Sequence, residues 1–270
     1  MYKQNLHTHS VLCDGKDTLE QLIKKAIELN FDSLGFSTHT RLPFPTDYPL
    51  PPTDYREYKK EVDLLKEKYK GIIDLYAGLE IDYLSQIDLN GYDYIIGSVH
   101  YLKIGNDYVG FDRSADVVEN IINKYYNGNG INFAKDYYQT LAKMANNVKI
   151  DIVGHFDLIT KNIEIKKLFD TEDKAYRDYA LESLRAVCEK VKIFEVNTGA
   201  MARGYRNTPY PMPFLLKELK TLGGQITISS DCHDKNYLDF AYDDTIQYVK
   251  SCGFDKIAIF KDGEFILEKI

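Results

Sequence analysis

Short runs rich in β-branched and aromatic residues alternate with longer amphipathic stretches along this chain, and that rhythm restricts its fold more than any other feature. Strand-like runs fall at residues 5–9, 33–39, 72–81, 94–100, 150–155, 193–197 and 225–231, and a further one at 256–260 is followed by 264–268, suited to pair with it as a hairpin. Between the first two, Leu19, Leu22, Ile23, Ala26, Ile27 and Leu29 trace one helical face over residues 18–30. Residues 54–69 and 171–191 read the same way, the latter opening with Thr171, Glu172, Asp173 and Lys174 in the manner of a capping box. Repeated strand–helix units specify a parallel sheet. About seven units in one domain, residues 1–270, favour a closed or nearly closed α/β barrel, with an open doubly wound sheet as the alternative.

One stretch breaks the rhythm. Residues 41–55 hold five of the eight prolines (Pro43, Pro45, Pro49, Pro51 and Pro52), which excludes a regular element there and suits a lid that follows His39, with a rigid surface loop as the alternative. Asn127–Gly130 reads as a turn between two helical patterns. No run approaches the ~20 apolar residues of a membrane span, and the N-terminus enters a strand without the apolar stretch of a signal peptide. The four cysteines, Cys13, Cys188, Cys232 and Cys252, are scattered without metal-binding spacing, which fits a reducing, cytoplasmic setting; Cys13 and Cys232, beside candidate ligands, read as small core fillers. A net charge of −7 argues against a nucleic-acid partner. It leaves phosphate chemistry open, because bound cations can invert the local field.

The chain has six histidines, His7, His9, His39, His100, His155 and His233, each at or just past the carboxyl end of a predicted strand. That face carries the active site in barrel enzymes. A single histidine at a strand end is ordinarily structural; all six in that position point to one site. His7 and His9, two apart, point to the same side of a strand and can hold one cation together. Asp14 follows in the next loop, Glu80 closes the third strand in GLEID, and Asp231 closes the seventh in SSDCHD with His233 two residues on. Six imidazoles and three carboxylates suit zinc, iron or manganese better than calcium, which prefers oxygen shells. They exceed what one ion can use, so two or three ions sharing a bridging carboxylate are expected. Asp82 and Asp157 read as outer partners or solvated residues.

The ordered set HTHS, STHT, GLEID, GSVHY, GHFD and SSDCH resembles the PHP (polymerase and histidinol phosphatase) family. The phrases YAGLEIDYL, DYIIGSVHYL, DIVGHFDLI and FEVNTG resemble its histidinol-phosphate phosphatase branch, and the likeness runs from residue 5 to about 260. The resemblance implies a distorted (β/α)7 TIM-like barrel with a trinuclear metal site at the C-terminal ends of the strands. It implies that His7, His9, Glu80 and Asp231 hold one metal, that Glu80 bridges to a second with His100 and His155, and that Asp14, His39 and His233 take a third. The chain departs from many relatives in carrying Asp14 where they have histidine, and Thr38 before His39 where they have aspartate.

What the family does implies a phosphomonoesterase acting on L-histidinol phosphate in histidine biosynthesis. A hydroxide bridging two metals would attack phosphorus in line. Three divalent cations less three carboxylates and one hydroxide leave about two positive charges, matching a phosphomonoester dianion. Asp231 would orient the nucleophile and accept its proton, and His233 or a metal-bound water would protonate the leaving alkoxide. Arg203 and Lys161 are the candidate phosphate-binding residues, ahead of Arg206 and Arg41. Asp47, Asp54 or the tyrosines of the proline-rich loop are candidates for the substrate amine. Rival readings are a PHP-type phosphatase for phosphotyrosine, nucleotides or sugar phosphates, and a non-enzymatic metal-binding module. The sequence does not indicate an oligomeric state.

Overall fold

The computed structural model describes residues 1–46 and 54–270. In chain order, β1 (Gln4–Asn5), α1 (Leu19–Glu28), β2 (Ser33–His39), α2 (Tyr55–Lys68), β3 (Asp74–Asp82) and β4 (Tyr94–Ser98) are followed by a hairpin of β5 (Tyr101–Ile104) and β6 (Asp107–Gly110). Then come α3 (Ala115–Tyr126), α4 (Gly130–Asn147), β7 (Ile152–Val153), α5 (Lys174–Lys190), β8 (Ile193–Asn197), α6 (Gly199–Ala202), α7 (Pro213–Thr221), β9 (Gln225–Ser229) and α8 (Tyr242–Ser251). A second hairpin, β10 (Lys256–Lys261) and β11 (Glu264–Lys269), ends the chain. The main sheet has seven strands in the order β1-β2-β3-β4-β7-β8-β9, all parallel, so the nearly closed barrel is observed and the open sheet is not.

Closure is partial and lies at the carboxyl end. There the His9 N–H donates to the Cys232 carbonyl at 2.8 Å and the Cys232 N–H to the His7 carbonyl at 3.1 Å. At the other end the side chain of Gln4 does the joining: Nε2 donates to the Phe260 carbonyl and Oε1 accepts from the Phe260 N–H, both at 2.7 Å. The β10–β11 turn has positive φ at Asp262 (52°) and Gly263 (87°), as a two-residue hairpin turn requires.

Alternation along the strands sorts two environments. On β3, Leu75, Ala77, Leu79 and Ile81 join the core beneath the helices, whereas Tyr76, Gly78, Glu80 and Asp82 occupy the opposite face. In the barrel interior Leu6, Tyr76, Tyr94, Ile96, Ile152, Ile193, Ala258 and Phe260 form an apolar plug. Gly35 and Gly78 make room for the Tyr94 ring, with which a Cβ at either would collide. Toward the carboxyl ends the same strand faces turn polar, with Glu80, Asp82, Ser98, Glu195 and Asn197 all buried. Outside, α1 buries Leu19, Leu22, Ile23 and Ala26. At ~1.5–3 kcal/mol for each large aliphatic side chain, that face outweighs the ~1 kcal/mol of the Thr18–Gln21 capping box.

Several local expectations shift. The first strand pairs regularly only over Gln4–Asn5 and the 150–155 run only over Ile152–Val153, because the chain beyond each turns into the site. The predicted box at Thr171 is not the start of its helix: Asp173 caps α5, its side chain accepting from the Ala175 N–H at 2.7 Å. The 94–100 run ends at Ser98 and leads into the unpredicted β5–β6 hairpin. At the 127–130 turn Asn127 adopts φ 51° and Asn129 caps α4. Arg41–Thr46 forms no regular element, and the rest of the proline-rich stretch through residue 53, with Asp47, lies outside the described residues. No helix among the described residues is long and apolar enough to cross a membrane.

Candidate metal centre

Glu80 is the hub. It is 1% exposed, and its Oε2 lies 3.1 Å from His7 Nε2, 3.5 Å from His9 Nε2 and 3.0 Å from His39 Nδ1. Its Oε1 lies 3.0 Å from His155 Nε2 and 3.4 Å from His100 Nε2, and accepts from Ser98 Oγ at 2.7 Å. Burial works against ionisation here, but the surrounding His7, His39 and His100 outweigh it and hold the carboxyl well below the usual range. Strands β1, β2, β4 and β7 thus deliver five imidazoles to the two oxygens of the carboxylate on β3.

Asp231 and Asp14 extend the cluster. Asp231 sits past β9 in the left-handed region at φ 47°, which aspartate tolerates better than most residues. Its Oδ1 lies 3.6 Å from His7 Nε2, 3.4 Å from His9 Nε2 and 3.4 Å from His233 Nδ1. Burial opposes its ionisation, and Arg203 and His7 more than reverse that. Asp14 faces His233 Nε2 at 3.3 Å, His39 Nε2 at 3.6 Å and His9 Nδ1 at 3.7 Å. Burial pulls the His39 ring down, yet Glu80 and Asp14 push it up to about 10. Burial, reinforced by His39, lowers His9. All nine predicted ligands therefore meet. Eight of them cluster within 4.8 Å, as His7, His9 and Glu80; as Glu80, His100 and His155; and as His9, Asp14, His39 and His233; Asp231 joins through His7, His9 and His233. His9 belongs to two of these groups, which its sequence position did not reveal.

Of the two outer partners, Asp82 lies beside the candidate ligand His100 as expected and Asp157 does not. Asp82 is buried and holds the backbone of the ligand loop, accepting from the N–H groups of His100 (2.6 Å), Tyr101 (3.3 Å) and Leu84 (2.9 Å). Asp157 touches no ligand side chain: it is fully buried, accepts from the Met212 N–H at 3.0 Å, and pairs with Arg206 at 3.8 Å. Arg206 is itself only 5% exposed and stacks over Tyr210, so it is a core residue and no candidate for phosphate. Asp54 is spent as the N-cap of α2. Sequence reading missed Glu195, which lies 2.5 Å from His7 Nδ1. Its signal was a carboxylate in the middle of an apolar strand, IFEVN.

A cleft of about 840 Å³ opens over the cluster. Arg203 reaches it, donating to Asp231 Oδ2 at 3.0 Å and to the Asp231 carbonyl at 3.3 Å. Lys161 lines it too, bound to Asp112 at 2.6 Å and lying over the Tyr205 ring. Asp112, also missed, is held down at about 2, since Lys161 and His100 outweigh its burial. Arg41 to Thr46 forms part of the wall, where Phe44 stacks on Tyr108 of the β5–β6 hairpin at 3.9 Å.

The donor set fits divalent metal ions. His7 Nε2, His9 Nε2, Asp14 Oδ1 and Glu80 Oε2 are buried without a hydrogen-bond partner among the described residues, where buried polar atoms nearly always have one. Imidazole nitrogens mixed with carboxylates are the donors that zinc, iron and manganese take.

Comparison with known proteins agrees. The chain is 26% identical over 265 residues to the histidinol-phosphatase of Bacillus subtilis, covering 90% of this chain and 98% of the relative. It is 25% identical over 279 residues to a protein of Schizosaccharomyces pombe named probable histidinol-phosphatase, covering 95% and 89%. In fold it matches the crystal structure of histidinol phosphate phosphatase from Lactococcus lactis, complexed with zinc, L-histidinol and phosphate, with a TM-score of 0.73, 22% identity and 98% of both chains covered. The PHP domain model matches residues 5–199, well over half of the sequence, and the chain belongs to the PHP family.

Proposed function

We propose that this chain is a cytoplasmic, single-domain phosphomonoesterase that hydrolyses L-histidinol phosphate to L-histidinol and inorganic phosphate with two to three zinc, iron or manganese ions. The observation that carries the reading is the convergence of eight candidate ligands, Glu80 among them, with Asp231 beside them, beneath a cleft that also presents Arg203 and Lys161. Near full-length similarity to proteins named histidinol-phosphatase supports the substrate. The four cysteines, all free and buried, suit a reducing compartment.

His7, His9, Glu80 and Asp231 would hold one metal, Glu80, His100 and His155 a second, and Asp14, His39 and His233, with His9 at hand, a third. Bound there, divalent cations supply positive charge to the phosphoryl oxygens and acidify water toward neutral pH. Arg203 binds the phosphate, and its double hold on Asp231 orients the guanidinium before substrate arrives. Lys161 offers a second cation, positioned by Asp112. Asp231, with Oδ1 toward His7 and His9 and Oδ2 on Arg203, orients the attacking water. His233 has Nδ1 2.9 Å from the Asp231 carbonyl and Nε2 facing Asp14, and one nitrogen cannot both ligate and protonate; we assign it to the ligand group rather than to proton delivery. Of the acidic residues lining the cleft, Asp112 lies outside the ligand set and, unlike Asp82, is not engaged with backbone N–H groups of His100 and Tyr101, so we assign it to the substrate amine.

The test is phosphate release from histidinol phosphate against phosphotyrosine, a nucleotide and a sugar phosphate, on protein whose metals are quantified. A kcat/KM highest for histidinol phosphate is expected. Equal or better turnover of another ester would reject the substrate, and no turnover of any by metal-replete protein would reject the enzyme.

A further inference from the structure

Glu195 is 1% exposed and accepts from four donors belonging to four segments. Its Oε1 faces His7 Nδ1 at 2.5 Å and Ser229 Oγ; its Oε2 accepts from the His155 N–H and from Asn197 Nδ2, both at 2.9 Å. We propose that Glu195 is a positioning residue that fixes the ring tautomer of His7 and thereby decides which of its nitrogens is offered to a metal. The inference rests on the metal-site reading above.

The argument is one of donors and acceptors. An ionised carboxylate has no proton to give, so His7 must donate through Nδ1. With Nδ1 committed to Glu195, Nε2, which faces Glu80 and Asp231 and lacks a hydrogen-bond partner among the described residues, is the one nitrogen whose lone pair a metal seated between them could take. The other donors cannot be traded away. The His155 N–H is backbone. The Asn197 amide cannot flip, because its Oδ1 already accepts from the Gly199 N–H at 2.8 Å. Only Ser229, whose hydroxyl rotates, and His7, whose proton can move, are able to change role.

Replacing Glu195 with Gln therefore has a directed outcome. The new NH2 avoids the fixed donors and takes the place of Oε1. Ser229 and His7 Nδ1 then become acceptors, and the proton of His7 moves to Nε2. An isosteric change with no displacement of the ring removes one nitrogen from the ligand set. A role confined to packing predicts no such loss.

The experiment uses the full chain labelled with 15N-histidine and loaded with zinc. Long-range 1H–15N spectra, with His7 assigned by its absence in His7→Asn, should place a proton on Nδ1 and zinc on Nε2. Glu195→Gln should bind at least one zinc equivalent about 10- to 100-fold more weakly, the usual range for loss of an outer partner of a ligand. Ser229→Ala, which leaves the His7–Glu195 contact in place, should keep both the zinc and the Nδ1 proton. A wild-type His7 unprotonated at Nδ1, or a zinc isotherm for Glu195→Gln superimposable on the wild type, would overturn the inference. If Glu195→Gln does not fold, the wild-type spectrum alone decides. A wild-type chain that takes up no zinc would instead reject the metal-site reading itself.

Discussion

Glu80 and Asp82 stand two apart on β3 and face the same way, yet exchanging each for its amide should give very different proteins. In Glu80→Gln the NH2 must confront either His7, His9 and His39 or His100, His155 and the Ser98 hydroxyl. Breaking a buried charge network by removing one partner costs ~3–5 kcal/mol. At 1.36 kcal/mol per decade this is roughly 10²- to 10⁴-fold in rate if it falls on the transition state, with at least one metal lost. Asp82→Asn can keep its oxygen on the His100 and Tyr101 N–H groups and turn its NH2 toward that of Leu84. One unmatched buried donor costs ~1–3 kcal/mol, so metals should stay and kcat/KM should drop at most about 100-fold. Metal stoichiometry and kcat for both variants, purified side by side, decide the matter. Metal lost from Asp82→Asn but retained by Glu80→Gln would refute the assignment of the hub.

Elemental analysis should find two to three equivalents of zinc, iron or manganese, with activity lost on chelation; full activity with at most one tightly held metal, or with magnesium alone, would contradict the cluster. Arg203→Ala should raise KM and lower kcat/KM roughly ten- to hundredfold, the worth of a ~1.5–3 kcal/mol charge-assisted contact, and unchanged kinetics would transfer the phosphate contact to Lys161. The metal-free chain should lose thermal stability as pH rises from about 6.5 to 10. His39, facing Glu80, Asp14 and the His9 and His233 rings, has its folded pKa raised to about 10, so its contribution is complete below its unfolded value and lost as pH passes its folded one. Metal affinity should climb over the same interval, because ligands must shed protons, and a metal-free Tm that stays flat from pH 7 to 10 would contradict the network.

How much was legible depends on range. Strand identity and the candidate ligands were readable because period-two patterning and the histidines are local signals, and the ordered motifs gave their sequence along the barrel. Glu195 was not, because the carboxylate in the apolar strand IFEVN names no partner until the closing of the ring brings β8, with β9 between it and β1, within reach of His7. Arg206 ranked behind Lys161 among the basic residues of the site face, but both stood as candidates. Only tertiary packing separates them, sending one beneath Tyr210 and the other over Tyr205 into the cleft. The β5–β6 hairpin was hidden inside a run whose apolar pattern continued past Ser98. The break at Thr171 was misplaced because Asp173, two residues on, competes for the same cap and wins.

The seam between β1 and β9 has a consequence for assembly. The contact of Asn5 with Ser230 joins residues 225 positions apart, and His7, His9, Asp231 and His233 all hang from the few bonds that close the ring there. Ligand residues that the sheet brings together only at the last join cannot exist as a set in a partly folded chain, since closing so long a loop precedes any contact that rewards it. Cations held across that join would act as reversible cross-links between the first and last strands. By mass action they would stabilise the complete ring over every form with an open seam, by an amount set by their concentration relative to their dissociation constant. Opening of the β1–β9 seam and escape of metal would then be coupled, and the supply of metal would govern the lifetime of the fold as well as its chemistry.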